Sequence, residues 1–107
     1  MSTNGATGRS VVVLAGARTP IGSYGGSLKD VPPTQLAAIA LREAVKRSKA
    51  DPARVGHVVF GNVIHTDAKD MYLARVATIE GGLSHDTPAL TLNRLCGSGL
   101  QAIVSAA

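Results

Sequence analysis

Three short apolar runs, spaced by stretches of helical periodicity, set the narrowest limit on how this chain can fold. They are Ser10-Val11-Val12-Val13-Leu14-Ala15-Gly16, His57-Val58-Val59-Phe60-Gly61-Asn62-Val63 and Pro88-Ala89-Leu90-Thr91-Leu92. Short β-branched runs bounded by Gly, Pro or Asn read as strands covered on both faces. After the first run, Thr34 is placed to cap a helix whose apolar face is Leu36, Ile39, Ala40, Leu41, Ala44 and Val45, ending near Lys49. Asp51-Pro52 opens a second helical start with room for about one turn before Gly56. After the second run, Asp70 is placed to cap Met71, Leu73, Ala74, Val76, Ala77 and Ile79, stopped by Gly81-Gly82. After the third, Gly97-Ser98-Gly99 leads into Leu100, Ala102, Ile103, Val104 and Ala106, which read as a buried helix. The fold class is therefore α/β, in the rhythm β-α-β-α-β-α, with a parallel sheet and right-handed crossovers.

A chain of 107 residues suffices for one small domain. Residues 1–9 read as a mobile polar tail and residues 10–107 as the first part of a larger domain. The helix begun at Gly97 reaches Ala107 without a Gly, Asn or Pro stop, so the pattern reads as truncated within that helix. The dense punctuation between Ala17 and Pro33 fits an ordered loop. No run approaches the roughly 20 apolar residues that cross a bilayer, and residues 1–9 carry no secretory pattern. The expectation is a cytoplasmic protein with no membrane partner. The net charge of +4 does not point to nucleic acid: Arg42, Lys46, Arg47 and Lys49 complement a helix end, and only Tyr24, Phe60 and Tyr72 could stack on bases. One cysteine and three scattered histidines lack metal-ligand spacing, so no metal site is expected.

That single cysteine is Cys96, in Asn93-Arg94-Leu95-Cys96-Gly97-Ser98-Gly99-Leu100-Gln101-Ala102. Two readings stand. Free cysteine is among the most often buried residues and packs as a small hydrophobe. Alternatively, at the turn from a strand into a helix, leading N–H groups and the helix dipole favour a thiolate, the form that acts as a nucleophile.

The segment from Asn93 to Ala102 resembles the nucleophile segment of thiolases, the enzymes that make or cleave β-ketoacyl-CoA. Ala17-Arg18-Thr19-Pro20-Ile21-Gly22, Gly25-Gly26-Ser27-Leu28, Gly61-Asn62-Val63 and Arg75 resemble further stretches of the family in the same order. Asp70 to Arg75 and Leu92 to Cys96 are most similar to the bacterial biosynthetic branch, the acetyl-CoA acetyltransferases. The resemblance implies the incomplete first half of a thiolase-like layered α/β fold. With strand order 3-2-1-4-5, the run Val11–Leu14 would be left as a bare edge. It implies Cys96 as the catalytic nucleophile and CoA thioesters as substrates, with no resident cofactor. The expected partners are acyl-CoA, the remainder of the thiolase polypeptide and a homodimeric or homotetrameric mate.

The family's activating histidine, second cysteine and water-holding asparagine lie downstream of the matched segment. The 107 residues alone are accordingly expected to be inactive. His57, His65 and His85 match no catalytic position and read as surface or structural residues. Arg18, Arg75 and Arg94 read as structural ion pairs or interface contacts before CoA ligands, and Met71 and Tyr72 as packing. Two alternatives remain at this stage, a ketoacyl synthase-type condensing enzyme and a catalytically inactive interaction module.

Overall fold

The computed structural model describes residues 8–107. The expected mobile tail lies outside them except for Gly8 and Arg9, which are exposed and belong to no regular element. The first helix, α1, spans Pro33–Ser48. Pro32, extended at ψ 144°, is the N-cap residue, and Pro33 occupies the first turn, where a missing N–H costs nothing. Thr34 is therefore no cap but a buried first-turn residue, 4% exposed. The helix ends where the sequence suggests. Lys49 turns left-handed (φ 59°), its N–H bonds to the Lys46 carbonyl, and Lys46 and Arg47 complement the negative helix end.

Asp51 caps one 3-10 turn, Pro52–Arg54, accepting from the Ala53 N–H at 3.0 Å. Strand β1, Val58–Gly61, follows, then a 3-10 turn at Ala68–Tyr72, helix α2 (Leu73–Glu80), strand β2 (Ala89–Leu92) and helix α3 (Ser98–Ala106). β1 and β2 pair in parallel, Val58 opposite Ala89 through Gly61 opposite Leu92. Side chains alternate across a strand, so Phe60 and Gly61 face opposite ways. Phe60 packs on the core of Ala37, Leu73 and Ala77 contributed by α1 and α2, while Gly61 lies against Ser98 of α3. Helices thus cover both sheet faces, the layered α/β arrangement. Small residues let α1 and α2 approach closely. A Cβ on Gly81 would stand 2.6 Å from the Ala77 carbonyl oxygen and 2.7 Å from Leu41 Cδ2, and Arg42 Nη2 donates to the Glu80 carbonyl at 2.6 Å.

Several further expectations need correction. Ser10–Gly16 forms no strand: Val11, Val12, Val13 and Leu14 are all exposed. β-branched composition supplies only propensity, and a strand also needs a neighbour to complete its hydrogen-bond ladder. The sheet has two strands among the described residues, so its bare edges belong to β1 and β2, not to Val11–Leu14. Asp70 does not cap α2. Asp67 caps the preceding 3-10 turn by accepting from the Lys69 N–H, and Asp70 returns the bond to the Asp67 N–H, a capping box. Helix α3 is not buried all round, because a two-stranded sheet covers only one of its sides. Ser98 and Ala102 face inward, while Leu100, Ile103 and Val104 are exposed. Met71 and Tyr72 are likewise on the surface, the 3-10 turn directing them away from the core.

Arg75 is structural, although its partners are carbonyls and not an acid. Nη1 donates to the Thr87 carbonyl at 3.1 Å and Nη2 to the His85 carbonyl at 2.9 Å, tying α2 to the loop that enters β2. Arg75→Met keeps the aliphatic stem and loses both charge-assisted bonds. The expected cost is about 2 kcal/mol of stability, read as a lower thermal midpoint of the intact protein.

Candidate active site

Cys96 lies between the end of β2 and the start of α3, and its thiol is free and exposed. The turn that carries it is built from side chains as much as from backbone. Asn93 Oδ1 accepts from the Leu95 N–H at 2.9 Å, an Asx turn, and Asn93 Nδ2 reaches back to the Val63 carbonyl at 3.4 Å, beyond the end of β1. The chain then folds tightly. Gly97 N–H donates to the Arg94 carbonyl and Ser98 N–H to the Leu95 carbonyl, each at 3.0 Å.

Leu95 is left-handed, with φ 47°. For a residue with a branched γ-carbon this backbone costs about 1 kcal/mol, and it persists only where the surroundings fix it. Ser98 does so from within the first turn of α3. Its hydroxyl accepts from the Arg94 N–H at 2.8 Å and donates to the Leu95 carbonyl at 2.7 Å, and the residue is buried. The arrangement places a surface thiol one residue before Gly97, the N-cap residue of a nine-residue helix whose leading N–H groups have no intrahelical acceptor. Chemically, such a thiol is reachable by an electrophilic carbonyl and stands next to the positive end of the helix.

Arg94 is exposed, and its Nη1 would lie 3.5 Å from a Cβ placed on Gly97, so its side chain runs beside that residue. The other expected candidates are elsewhere. His65 Nδ1 pairs with Asn62 Nδ2 at 2.8 Å, the His85 carbonyl serves Arg75, and exposed His57 precedes β1. None of the three hydrogen-bonds to Cys96 among the described residues. Among the described residues Arg18 donates only to the Thr19 carbonyl, the next residue along. No group of three or more His, Cys, Asp or Glu able to hold a metal occurs among the described residues, and no described helix is long and apolar enough to cross a membrane.

Comparison with known proteins settles the family. The family model of the thiolase N-terminal domain matches residues 11–107. The chain belongs to the thiolase family. It is 63% identical over 99 residues to beta-ketothiolase BktB of Cupriavidus necator, covering 92% of this chain and 25% of that protein. It is 46% identical over 97 residues to the mitochondrial 3-ketoacyl-CoA thiolase of Homo sapiens, covering 91% of this chain and 24% of that one. The crystal structure of the human mitochondrial enzyme in complex with CoA superposes with a TM-score of 0.84, covering 87% of this chain and 24% of that chain. An acetyl-CoA acetyltransferase of Bacillus anthracis gives 0.83 at 41% identity, covering 89% of this chain and 24% of that chain. This thiolase segment therefore spans about a quarter of the length of the relatives it matches.

Residue type marks Cys96 in the sequence but not the residues that hold it. In the sequence Ser98 reads with its glycine neighbours as a helix opening, and Asn93 as part of a motif. An available signal was the spacing itself. Asn two residues before Leu95 can form an Asx turn, and a serine at the first helical position can return its hydroxyl to the carbonyl three residues back.

Proposed function

We propose that this chain is the nucleophile-bearing N-terminal portion of a thiolase that transfers acyl groups between Cys96 and coenzyme A. The observation that carries the reading is an exposed thiol held on a strained turn at the N-terminus of α3, in a chain of thiolase family.

Cys96 Sγ, as thiolate, adds to the thioester carbonyl of an acyl-CoA. The tetrahedral intermediate collapses by breaking the bond to the CoA sulfur, and CoA leaves as thiolate and takes up a proton. The acyl group is then a thioester of Cys96. Exchanging one thioester for another changes free energy little, so the intermediate stays reactive and the cycle reversible. A second acetyl-CoA loses a methyl proton to a base, and its carbanion attacks the acyl-Cys96 carbonyl. The C–C bond forms, the C–S bond to Cys96 breaks, and the thiolate is regenerated. With two acetyl-CoA the product is acetoacetyl-CoA, and the reverse direction is its cleavage by CoA. The 63% identity to the C. necator beta-ketothiolase supports a ketothiolase reaction, and the choice of the acetyl-CoA acetyltransferase branch rests on the resemblance of Asp70 to Arg75 and Leu92 to Cys96.

The base, and the walls of the substrate site, would come from the three quarters of a full-length thiolase that this chain does not span. The 107 residues by themselves would be inactive. Exposed Leu100, Ile103 and Val104 on α3 and the unpaired sheet edges offer surfaces for that remainder and for a second subunit of a homodimer or homotetramer. A cytoplasmic location suits a mechanism that needs Cys96 reduced.

The test is to incubate the full-length protein carrying this chain with acetyl-CoA, quench, and locate the acetyl group by peptide mass spectrometry. Acetylation of Cys96, reversed by added CoA, is the expected result. Absence of acetyl-Cys96 while the thiol remains reduced and alkylatable would overturn the assignment.

A further inference from the structure

We propose that Ser98 is a positioning residue for Cys96, its hydroxyl locking Leu95 in the left-handed backbone that presents the thiol. The inference rests on Cys96 being the nucleophile. It follows from which peptide groups the hydroxyl holds. The carbonyl of Leu95 belongs to the same planar peptide unit as the N–H of Cys96. Fixing that oxygen fixes the plane from which the Cys96 Cα–Cβ bond departs. Two donors hold it from one residue, Ser98 Oγ at 2.7 Å and Ser98 N–H at 3.0 Å.

The unit before Leu95 is held as firmly. Its N–H goes to Asn93 Oδ1 at 2.9 Å and its carbonyl, that of Arg94, accepts from Gly97 N–H at 3.0 Å. The Arg94 N–H, one unit earlier, donates to Ser98 Oγ at 2.8 Å. A single buried hydroxyl therefore bridges the two ends of the turn, as acceptor on one side and donor on the other. Deleting it removes one of the two bonds on the Leu95 carbonyl and the only one on the Arg94 N–H among the described residues. Leu95 is then free to relax towards negative φ, which would rotate Cys96 away from its present direction.

Ser98 is itself seated by β1. A Cβ added to Gly61 would stand 2.7 Å from Ser98 Cβ, 2.8 Å from its carbonyl carbon and 2.9 Å from its carbonyl oxygen. Two of those neighbours are backbone, which cannot swing aside. Gly61 thus sets how closely α3 approaches the sheet, and through Ser98 it sets the turn. The glycine that ends β1 and the serine that opens α3 form one support beneath the thiol.

The experiment measures single-turnover acetylation of Cys96 by acetyl-CoA in the full-length protein and in its Ser98→Ala, Ser98→Thr and Gly61→Ala variants. Quenched samples are read by mass spectrometry across a range of acetyl-CoA concentrations. Ser98→Ala should lower the saturating rate by about 100-fold, the scale of an ångström-sized misplacement, with the half-saturating concentration changed by less than about threefold. Ser98→Thr, which keeps the hydroxyl, should recover at least about tenfold of that loss. Gly61→Ala keeps the hydroxyl but displaces its carrier, and should slow acetylation by about tenfold or more; it also serves where Ser98→Ala does not fold. Wild-type saturating rates in Ser98→Ala, or in Gly61→Ala if only that variant folds, would overturn the proposal, as would a loss confined to the half-saturating concentration or no recovery with threonine. If the unsubstituted protein acetylates Cys96 and Ser98→Ala does so equally fast, only the positioning role fails. If the unsubstituted protein never acetylates Cys96, the nucleophile reading itself fails.

Discussion

Cys96→Ser in the full-length protein should reduce turnover of acetoacetyl-CoA and CoA by on the order of 1,000-fold or more while leaving CoA binding nearly intact. Serine is close to isosteric, so the turn made by Asn93, Leu95 and Ser98 should persist. The hydroxyl, however, is scarcely ionised at neutral pH, so it is a far weaker nucleophile than the thiolate it replaces. The acyl-enzyme would also change from a thioester to an ordinary ester. Its carbonyl is less electrophilic towards a carbanion, and the exchange with CoA is no longer balanced. Both steps of the cycle therefore suffer, and kcat should fall with little change in KM. Steady-state kinetics with a parallel CoA-binding measurement checks this. A variant that retains a tenth or more of the wild-type kcat would remove Cys96 from the covalent role.

The elements were legible where the signal is local. Glycine and proline punctuation located α1, α2 and the two paired strands to within a few residues, because Pro33 and Gly81 act on their own backbone. The turn bearing Cys96 was legible as a junction for the same reason. What failed depends on partners distant in sequence. Among the described residues, Val11–Leu14 has the composition of a central strand but no neighbouring strand, and Leu100, Ile103 and Val104 of α3 are left exposed. The capping assignments failed more subtly. Thr34 and Asp70 each stand near a helix start with a side chain able to cap, and capping preference alone does not distinguish the N-cap residue from one two or three positions later. For the candidate site, residue type identified the thiol, whereas its support at Gly61 and Ser98 joins residues 37 apart that only the packing of α3 on β1 brings together.

Asp70→Ala should be the most damaging single change outside the turn that bears Cys96, at about 3 kcal/mol of stability. Asp70 is fully buried, and one oxygen, Oδ2, accepts from the Thr66 N–H at 2.7 Å, the Thr66 hydroxyl at 2.8 Å and the Asp67 N–H at 3.1 Å. Alanine would leave all three donors unpaired within the fold. Burial by itself would raise the pKa of this carboxyl. The bonds from Thr66 and Asp67, with His65 nearby, outweigh it and hold the pKa below the usual carboxylate range. The sign follows. A folded pKa below the unfolded value, about 3.9 for aspartate, contributes stability that is complete above that pH and is lost as pH falls through the folded value. Protonation is further opposed because Oδ1 is buried with no hydrogen-bond partner among the described residues, so a proton placed there finds no acceptor. Asp70→Asn can still accept with its amide oxygen and should cost less, about 1–2 kcal/mol, while removing this group's share of the acid sensitivity. Denaturant midpoints of the full-length protein at pH 7 and on descending through about pH 4 separate the two effects. Wild type should lose more stability than Asp70→Asn over the acid step, and equal losses would show that Asp70 is not held ionised by Thr66 and Asp67.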